Sequence, residues 1–112
     1  MKYTVSLTRD ARDDLDELYE FIAESDTVSK ADYVLDEIQK AAKMLTQFPE
    51  RGAYPSELQE LGIYDFRQTF FKPYRIIYRI FEKQVIIYLI ADGRRDMQTL
   101  LARRLLIASP LK

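Results

Sequence analysis

The hydrophobic pattern of the first 25 residues changes its period once. Residues 2–7 alternate polar and apolar side chains, which predicts a short β-strand. From Thr8 onward the apolar positions recur every three or four residues, and this spacing predicts an amphipathic helix that Thr8 caps and that ends near Ser25. Carboxylates fill the other face of this helix. Because a continuous apolar stripe accompanies them, they indicate a solvated helix face rather than a pair of catalytic acids.

A second helix and a loop follow. Ser29, with Asp32 three residues later, resembles a capping box, so this helix is predicted to begin at Ser29 and to end at Phe48-Pro49. The two helices would then form a hairpin. Residues 49–62 contain two of the four prolines and two of the three glycines, which predicts a loop with one short turn of helix.

The second half of the chain is rich in β-branched and aromatic residues and predicts three successive antiparallel strands. They span Tyr64–Phe71, Tyr74–Phe81 and Gln84–Ala91. Glu82-Lys83 is a poor sequence for a two-residue hairpin turn, so we expect a longer or bulged connection there. The near-continuous apolar character of the last two strands indicates that they are covered on both faces, or that one face binds a partner.

The chain is predicted to end in a helix from Met97 to about Ala108, capped by Asp96. The fold class is therefore α+β, in the order β-α-α-β-β-β-α, with a helical hairpin and a C-terminal helix around a small antiparallel sheet. We expect residues 1–112 to form one domain of this kind. Arg104 falls inside the apolar arc of the last helix. Because a buried guanidinium must be paired, we expect an ion pair with a carboxylate of the first helix, or else snorkelling of Arg104 to solvent.

Composition excludes several kinds of chemistry. The 112 residues contain no cysteine and no histidine, which removes disulfides, thiolate nucleophiles, the usual general base and the usual zinc ligand. We therefore expect no metal and no cofactor, and any chemistry would use Arg, Lys, Tyr and carboxylates. The N-terminal residues lack a signal-peptide core, and no apolar run approaches the roughly 20 residues of a membrane span. A cytoplasmic protein without membrane contact is the expectation.

The charges are unevenly divided along the chain. Residues 1–60 carry 7 basic and 14 acidic side chains, a net charge of −7, whereas residues 61–112 carry 10 basic and 4 acidic ones, a net charge of +6. The basic half could steer the protein toward a polyanion or an acidic partner. Alternatively, the two halves neutralise each other by packing together.

Several of these basic residues belong to the predicted sheet. Alternation along the strands predicts that Arg67, Arg75 and Arg79 project from one face of the sheet while the helices cover the other face. Arg94 and Arg95 follow the last strand. This mixture of arginine and aromatic residues is typical of surfaces that grip phosphates, although a single exposed strand arginine often only keeps a sheet soluble. The predicted surface for a target or partner comprises Arg67, Lys72, Arg75, Arg79, Arg94 and Arg95.

The element order and four segments of the sequence resemble the RelE/ParE superfamily of toxins from type II toxin–antitoxin (plasmid stabilisation) systems, along the full length of the chain. These segments are Phe48–Gly52, Tyr74–Ile80, Val85–Ala91 and Asp92–Leu101. The resemblance implies an intracellular growth inhibitor that a cognate antitoxin neutralises by wrapping an extended C-terminal segment around it. It also implies that the pair binds operator DNA through the antitoxin, and it leaves homodimerisation open.

The superfamily divides by target: RelE-like members cleave mRNA on the ribosome, and ParE-like members inhibit DNA gyrase without a nuclease site. Arg75 and Arg94 match cationic residues of the RelE-like site, and would be the catalytic cations of a metal-independent endoribonuclease. However, Arg67 and Gln68 replace the expected lysines, and leucines occupy the region of the expected terminal tyrosine. We therefore predict a ParE-like, non-catalytic gyrase inhibitor. The alternatives are a ribosome-dependent mRNA endonuclease and an inactive member that only binds its antitoxin.

Overall fold

The computed structural model describes residues 2–107, which form an α+β fold, as predicted. None of the helices within these residues has the length and apolarity needed to cross a bilayer. The predicted end of the last helix at Ala108 lies outside the described residues. The elements are β1 (Thr4–Leu7), α1 (Arg9–Ser25), α2 (Val28–Met44), a 3-10 turn (Pro49–Arg51), α3 (Ser56–Gln59), β2 (Arg67–Phe71), β3 (Tyr74–Phe81), β4 (Gln84–Asp92) and α4 (Met97–Leu101), which continues as a π-helix over Ala102–Ile107.

Threonine side chains begin both long helices. The Thr8 hydroxyl accepts a hydrogen bond from the Ala11 N–H at 3.1 Å, which confirms the predicted cap of α1. The predicted start of α2 at Ser29 is wrong by one residue, because Thr27 has the extended backbone of a cap and its hydroxyl accepts from the Lys30 N–H at 3.0 Å. The predicted end of α2 is also too late. The helix stops at Met44, and short turns carry the chain to a 3-10 turn.

The sheet has four strands in the order β1-β4-β3-β2. The three strands of the second half are successive and antiparallel, as predicted. The prediction of a wholly antiparallel sheet is wrong for β1, which pairs with β4 in parallel, Val5 opposite Val85. The reason is topological: the helical hairpin and the β2–β3 hairpin together act as the long crossover that a parallel pair requires. The sheet is therefore mixed.

Local details of the sheet also differ from expectation. β2 begins at Arg67 rather than Tyr64, because the buried Phe66 turns away to pack edge-on against Tyr88, with ring centroids 5.4 Å apart. The connection at Glu82-Lys83 has only two residues, contrary to prediction, because Glu82 adopts the left-handed backbone (φ 57°) that such a turn demands. The loop over residues 49–62 contains two helical turns, the 3-10 turn and α3, rather than one.

The sheet has two buried faces, and a β-bulge in β4 changes which of its residues point to each face. Ile77 lies opposite Leu89 and Tyr78 opposite Ile87, so Tyr88 is an extra residue without a partner on β3. This insertion reverses the alternation of β4. Val85 and Ile87, before the bulge, and Ile90, after it, pack against α1 and α2. Leu89 and Ala91 pack on the other face, against α3 and α4. Both β3 and β4 are therefore covered on both faces, which is the first of the two predicted alternatives.

Arg104 is paired with the first helix, as predicted. Its guanidinium makes two hydrogen bonds to the Asp14 carboxylate, at 2.9 and 3.0 Å, and donates a third to the Tyr88 carbonyl at 2.8 Å. The hydrogen bonds to Asp14 raise the pKa of Arg104 above its ordinary value. Asp14 also accepts from the Ile90 N–H at 3.0 Å. The pair thus supplies partners to backbone groups of β4 beyond the end of β1, whose pairing stops at Ile87.

We predict that Arg104→Leu lowers the free energy of unfolding by about 2–3 kcal/mol, because it leaves the Asp14 carboxylate and the Tyr88 carbonyl without their donor. Urea unfolding followed by circular dichroism measures the change. Arg103→Leu, at the exposed neighbouring position, is the matched control and should change stability by less than about 0.5 kcal/mol. Equal stabilities of the two variants would show that the ion pair contributes nothing.

Candidate functional site

The predicted basic residues do not share one face of the sheet. Arg67 lies opposite Tyr78, and directly opposed residues project to the same side, so Arg67 faces the helical hairpin. Arg75 alternates with Ile76 and projects to the other side, with Ile77. The prediction of a single open face with all the strand arginines is therefore wrong. The register of β2 is the cause, because it places Gln68 rather than Arg67 beside Arg75.

Arg75 is committed to an internal ion pair. Its two terminal nitrogens donate to the two oxygens of Glu57 at 2.8 and 2.9 Å, and its Nε donates to the Gln68 side chain at 2.8 Å. Only 11% of the Arg75 side chain is exposed. Gly93 is part of the arrangement: a Cβ there would stand 2.8 Å from the Arg75 Cδ, so glycine leaves room for the arginine stem. Arg75 thus fastens α3 to β3.

Arg67 holds the loop that follows α2. It donates to the carbonyls of Glu50 at 3.1 Å and Gly52 at 3.0 Å and to the Tyr54 hydroxyl at 3.0 Å, and its guanidinium lies 4.6 Å from the centre of the Tyr54 ring. The buried Tyr78 hydroxyl donates to the Pro49 carbonyl at 2.6 Å. Burial raises the pKa of Tyr78, so this phenol is a poor general base.

The remaining predicted cations are more exposed. Arg94 is paired with Asp92 at 2.6 Å, yet 76% of its side chain is exposed; this contact lowers the pKa of Asp92 below its ordinary value. Lys72 and Arg95 are exposed on turns. Arg79 is half-buried near the end of β3, 4 residues beyond Arg75 along the strand. Of the six predicted residues, Arg94 and Arg95 lie together because both follow β4, and Arg67 and Arg79 border one concavity near the opposite end of β3.

Arg94 and Arg95 border a groove between α1 and the end of β4, which we call the α1 groove. Its volume is about 450 Å³. Phe21, with 67% of its surface exposed, and Tyr74 supply aromatic surface, while α1 contributes carboxylates. Burial raises the pKa of Tyr74, which again disfavours a role as a base. The full lining is Asp14, Glu17, Leu18, Phe21, Tyr74, Ile90, Ala91, Asp92, Arg94 and Arg95.

The sequence interpretation did not identify three residues as hydrogen-bond partners of the strand arginines. These are Tyr54, which accepts from Arg67, and Glu57 and Gln68, which accept from Arg75. Tyr54 and Glu57 lie in the long loop, where no period marks them as buried, whereas Gln68 lies on β2 and its role depends on the register of that strand. A proline followed by Ser56 and Glu57 is a helix-start signal that could have indicated α3. Nothing local to the sequence indicates that its glutamate reaches β3. Among residues 2–107, no group of three or more carboxylates is placed to hold a metal ion.

Comparison with known proteins identifies the family. The family model for the ParE toxin of type II toxin–antitoxin systems matches residues 5–97. Toxin ParE3 of Caulobacter vibrioides is 30% identical over 97 residues, which are 87% of this chain and 93% of that protein. The predicted RelE/ParE membership is confirmed, and the chain belongs to the ParE toxin family of type II toxin–antitoxin systems.

Two solved structures have the same fold. The chromosomal ParDE toxin–antitoxin system from P. aeruginosa superimposes with a TM-score of 0.68 at 22% identity, covering 81% of this chain and 96% of that chain. The RelBE2 toxin–antitoxin complex from Mycobacterium tuberculosis gives a TM-score of 0.59 at 22% identity, covering 82% and 99%. At this identity, the likeness concerns the fold.

The Glu57–Arg75 pair should make stability depend on pH in the acid range. The hydrogen bond from Arg75 lowers the pKa of Glu57 below its ordinary 4.5, against the opposing effect of burial. The stabilisation is therefore complete above about pH 4.5 and is lost as the pH falls through the lowered pKa of the folded state. We predict that Glu57→Gln costs about 1–2 kcal/mol of unfolding free energy at pH 7 and that this difference shrinks toward pH 3.

Urea unfolding of both proteins between pH 7 and pH 3 measures this difference. Glu60→Gln is the control, because Glu60 is an exposed carboxylate just after α3. A stability difference between wild type and Glu57→Gln that stays constant over the whole pH range would contradict the assigned pair.

Proposed function

We propose that this ParE-family protein inhibits growth by acting on DNA gyrase without chemical catalysis, and that a cognate antitoxin neutralises it. The observation that supports the proposal most strongly is that Arg75 is engaged in an internal ion pair. Metal-free cleavage of RNA needs a cation at the phosphate, a base for the 2′-hydroxyl and an acid for the leaving oxygen. The cation that a nuclease would use on β3 is instead held, largely shielded from solvent, in a bidentate pair with Glu57.

The side chains that could transfer protons also favour a mechanism without catalysis. The chain has no histidine. Burial raises the pKa of both Tyr74 and Tyr78, and the Tyr78 hydroxyl already donates to a carbonyl. Raising the pKa of a phenol lowers the fraction that is ionised at neutral pH, so neither tyrosine is suited to remove a proton. Inhibition by binding requires none of these groups.

The antitoxin partner follows from the family and from the neighbours. Both solved structures of similar fold are described as toxin–antitoxin systems or complexes. We propose a cognate antitoxin for this chain too, with contact to operator DNA through the antitoxin, in the cytoplasm. The exposed aromatic and charged surface of the α1 groove would offer such a partner apolar area together with charges of both signs.

Ribosome-dependent mRNA cleavage is the second candidate function. Arg94 favours it, because its guanidinium is 76% exposed at the end of β4, next to Tyr74 in the α1 groove, where a phosphate could reach it. This alternative would require Arg75 to leave Glu57.

Induced expression separates the two functions. We predict filamentous cells, a DNA-damage response, and inhibition of gyrase supercoiling by the purified protein, with relief of all three effects by the antitoxin. Transcripts with new defined ends and rapid arrest of translation would instead identify the nuclease. Normal growth on induction, with antitoxin binding retained, would identify an inactive member. Mapping transcript ends and assaying supercoiling in the same strain provides the measurement.

A paired substitution tests the role of Arg75. We predict that Arg75→Met alone lowers stability by about 2–4 kcal/mol, because it leaves Glu57 partly buried without its partner, and that Arg75→Met with Glu57→Leu recovers much of this loss. The double variant should still inhibit growth, since it keeps the packing of α3 and lacks only the charges. A double variant that unfolds like wild type yet has lost toxicity would show that the cation itself is required.

A further inference from the structure

One partly buried arginine has no acceptor among residues 2–107. Among residues 2–107, four arginines are partly buried, and three of them donate to carboxylates, carbonyls or hydroxyls. The fourth, Arg79, makes no hydrogen bond or ion pair with any residue in this range. A guanidinium loses hydration when it is partly buried, and this loss is unfavourable unless an acceptor replaces the water. The position of Arg79 therefore fits an acceptor from another molecule.

The backbone next to Arg79 is also open to a partner. β2 begins at Arg67, opposite Tyr78, so β3 runs on past the last residue of β2 that pairs with it. In an antiparallel ladder, alternate residues direct their N–H and C=O groups to the same neighbour. The Gln68 N–H donates to the Ala53 carbonyl on the outer side of β2, so Arg67 and Tyr78 direct their N–H and C=O groups toward each other. Ile80, two residues further along β3, therefore directs its N–H and C=O toward the side that β2 has left. An extended chain could pair there.

The side chains around this open edge limit the class of ligand. A concavity of about 340 Å³ lies here, lined by Glu50, Tyr64, Asp65, Arg67, Arg79 and Ile80. Tyr64 is 53% exposed and offers apolar surface, whereas Glu50 and Asp65 are exposed carboxylates. A nucleic acid strand would bring successive phosphates close to these carboxylates, and repulsion between like charges disfavours it. A protein segment with one acidic side chain satisfies Arg79 and the free backbone groups together.

We propose that Arg79 and the open edge of β3 at Ile80 bind an extended segment of the antitoxin, with one Asp or Glu of that segment paired to Arg79. The inference rests on the proposed function for the existence of this partner. The carboxylate would accept a bidentate hydrogen bond from the guanidinium. The backbone of the segment would add to the sheet beside Ile80, and a basic or hydroxyl side chain would meet Glu50 and Asp65.

The test compares the affinity of purified full-length antitoxin for wild-type toxin and for two variants, by calorimetry. Arg79→Ala should weaken binding by about tenfold or more, as expected when one partner of a desolvated charge pair is removed. Arg103→Ala, which removes an exposed arginine from the last helix, should alter the dissociation constant by less than about twofold. Because Arg79 has no partner within the described chain, thermal unfolding of Arg79→Ala should match that of wild type. Hydrogen exchange of a peptide that includes Ile80 should slow when the antitoxin is added.

The outcomes separate this inference from the proposed function. Wild-type affinity in Arg79→Ala, or unchanged hydrogen exchange at Ile80, would overturn the site while leaving the toxin assignment intact. Loss of toxicity in Arg79→Ala with antitoxin affinity unchanged would assign the residue to the target and would also overturn it. Absence of any binding by the wild-type chain would refute the proposed antitoxin partner itself. Retained toxicity together with weaker neutralisation in cells is the supporting result.

Discussion

The packing of helices on both faces of the sheet depends on how the backbone of β4 finds hydrogen-bond partners beyond the end of β1. A bulge at Tyr88 reverses the alternation of β4, so that Leu89 and Ala91 face α3 and α4 while Ile90 faces α1 and α2, and β1 stops pairing at Ile87. Beyond that point the Tyr88 carbonyl and the Ile90 N–H need other partners, because unpaired backbone groups in a covered sheet are costly. Arg104 and Asp14 supply these partners while neutralising each other. One ion pair thus joins the first helix, the central sheet and the last helix.

Two other arginines also join separate elements through inward-directed hydrogen bonds, and this limits the chemistry that they can perform. Arg75 joins β3 to α3, and Arg67 joins β2 to the loop after α2. Each of these side chains carries the charge that a phosphate would need, but each has its hydrogen bonds directed inward. A guanidinium with satisfied donors can change its partner only by leaving another group unpaired. Arg94 and Arg95 at one end of the sheet and Arg79 near the other are not held in this way.

Hydrophobic period alone predicted most of the fold. The strand boundaries of β3, the cap at Thr8 and the pairing of Arg104 followed from local sequence, because each depends on neighbours within a few residues or on a buried charge that must be neutralised. Parallel pairing of β1 depends on contacts across the whole chain, and the faces of β2 depend on one residue of register. The arginine surface was misassigned for that reason. Glu57, the residue that decides the state of Arg75, lies in a loop without any period.

The acidic and basic halves of the sequence partly neutralise each other in the fold and partly remain exposed. The pairs Asp14–Arg104 and Glu57–Arg75 each join a carboxylate of the acidic first half to an arginine of the basic second half. Part of the imbalance therefore serves packing. Other charges lie apart: carboxylates and arginines meet at the α1 groove, and Arg79, near the other end of β3, has no partner among the described residues. An extended partner that covers both ends would need charges of both signs in a fixed order, which selects for one protein chain and against a uniform polyanion.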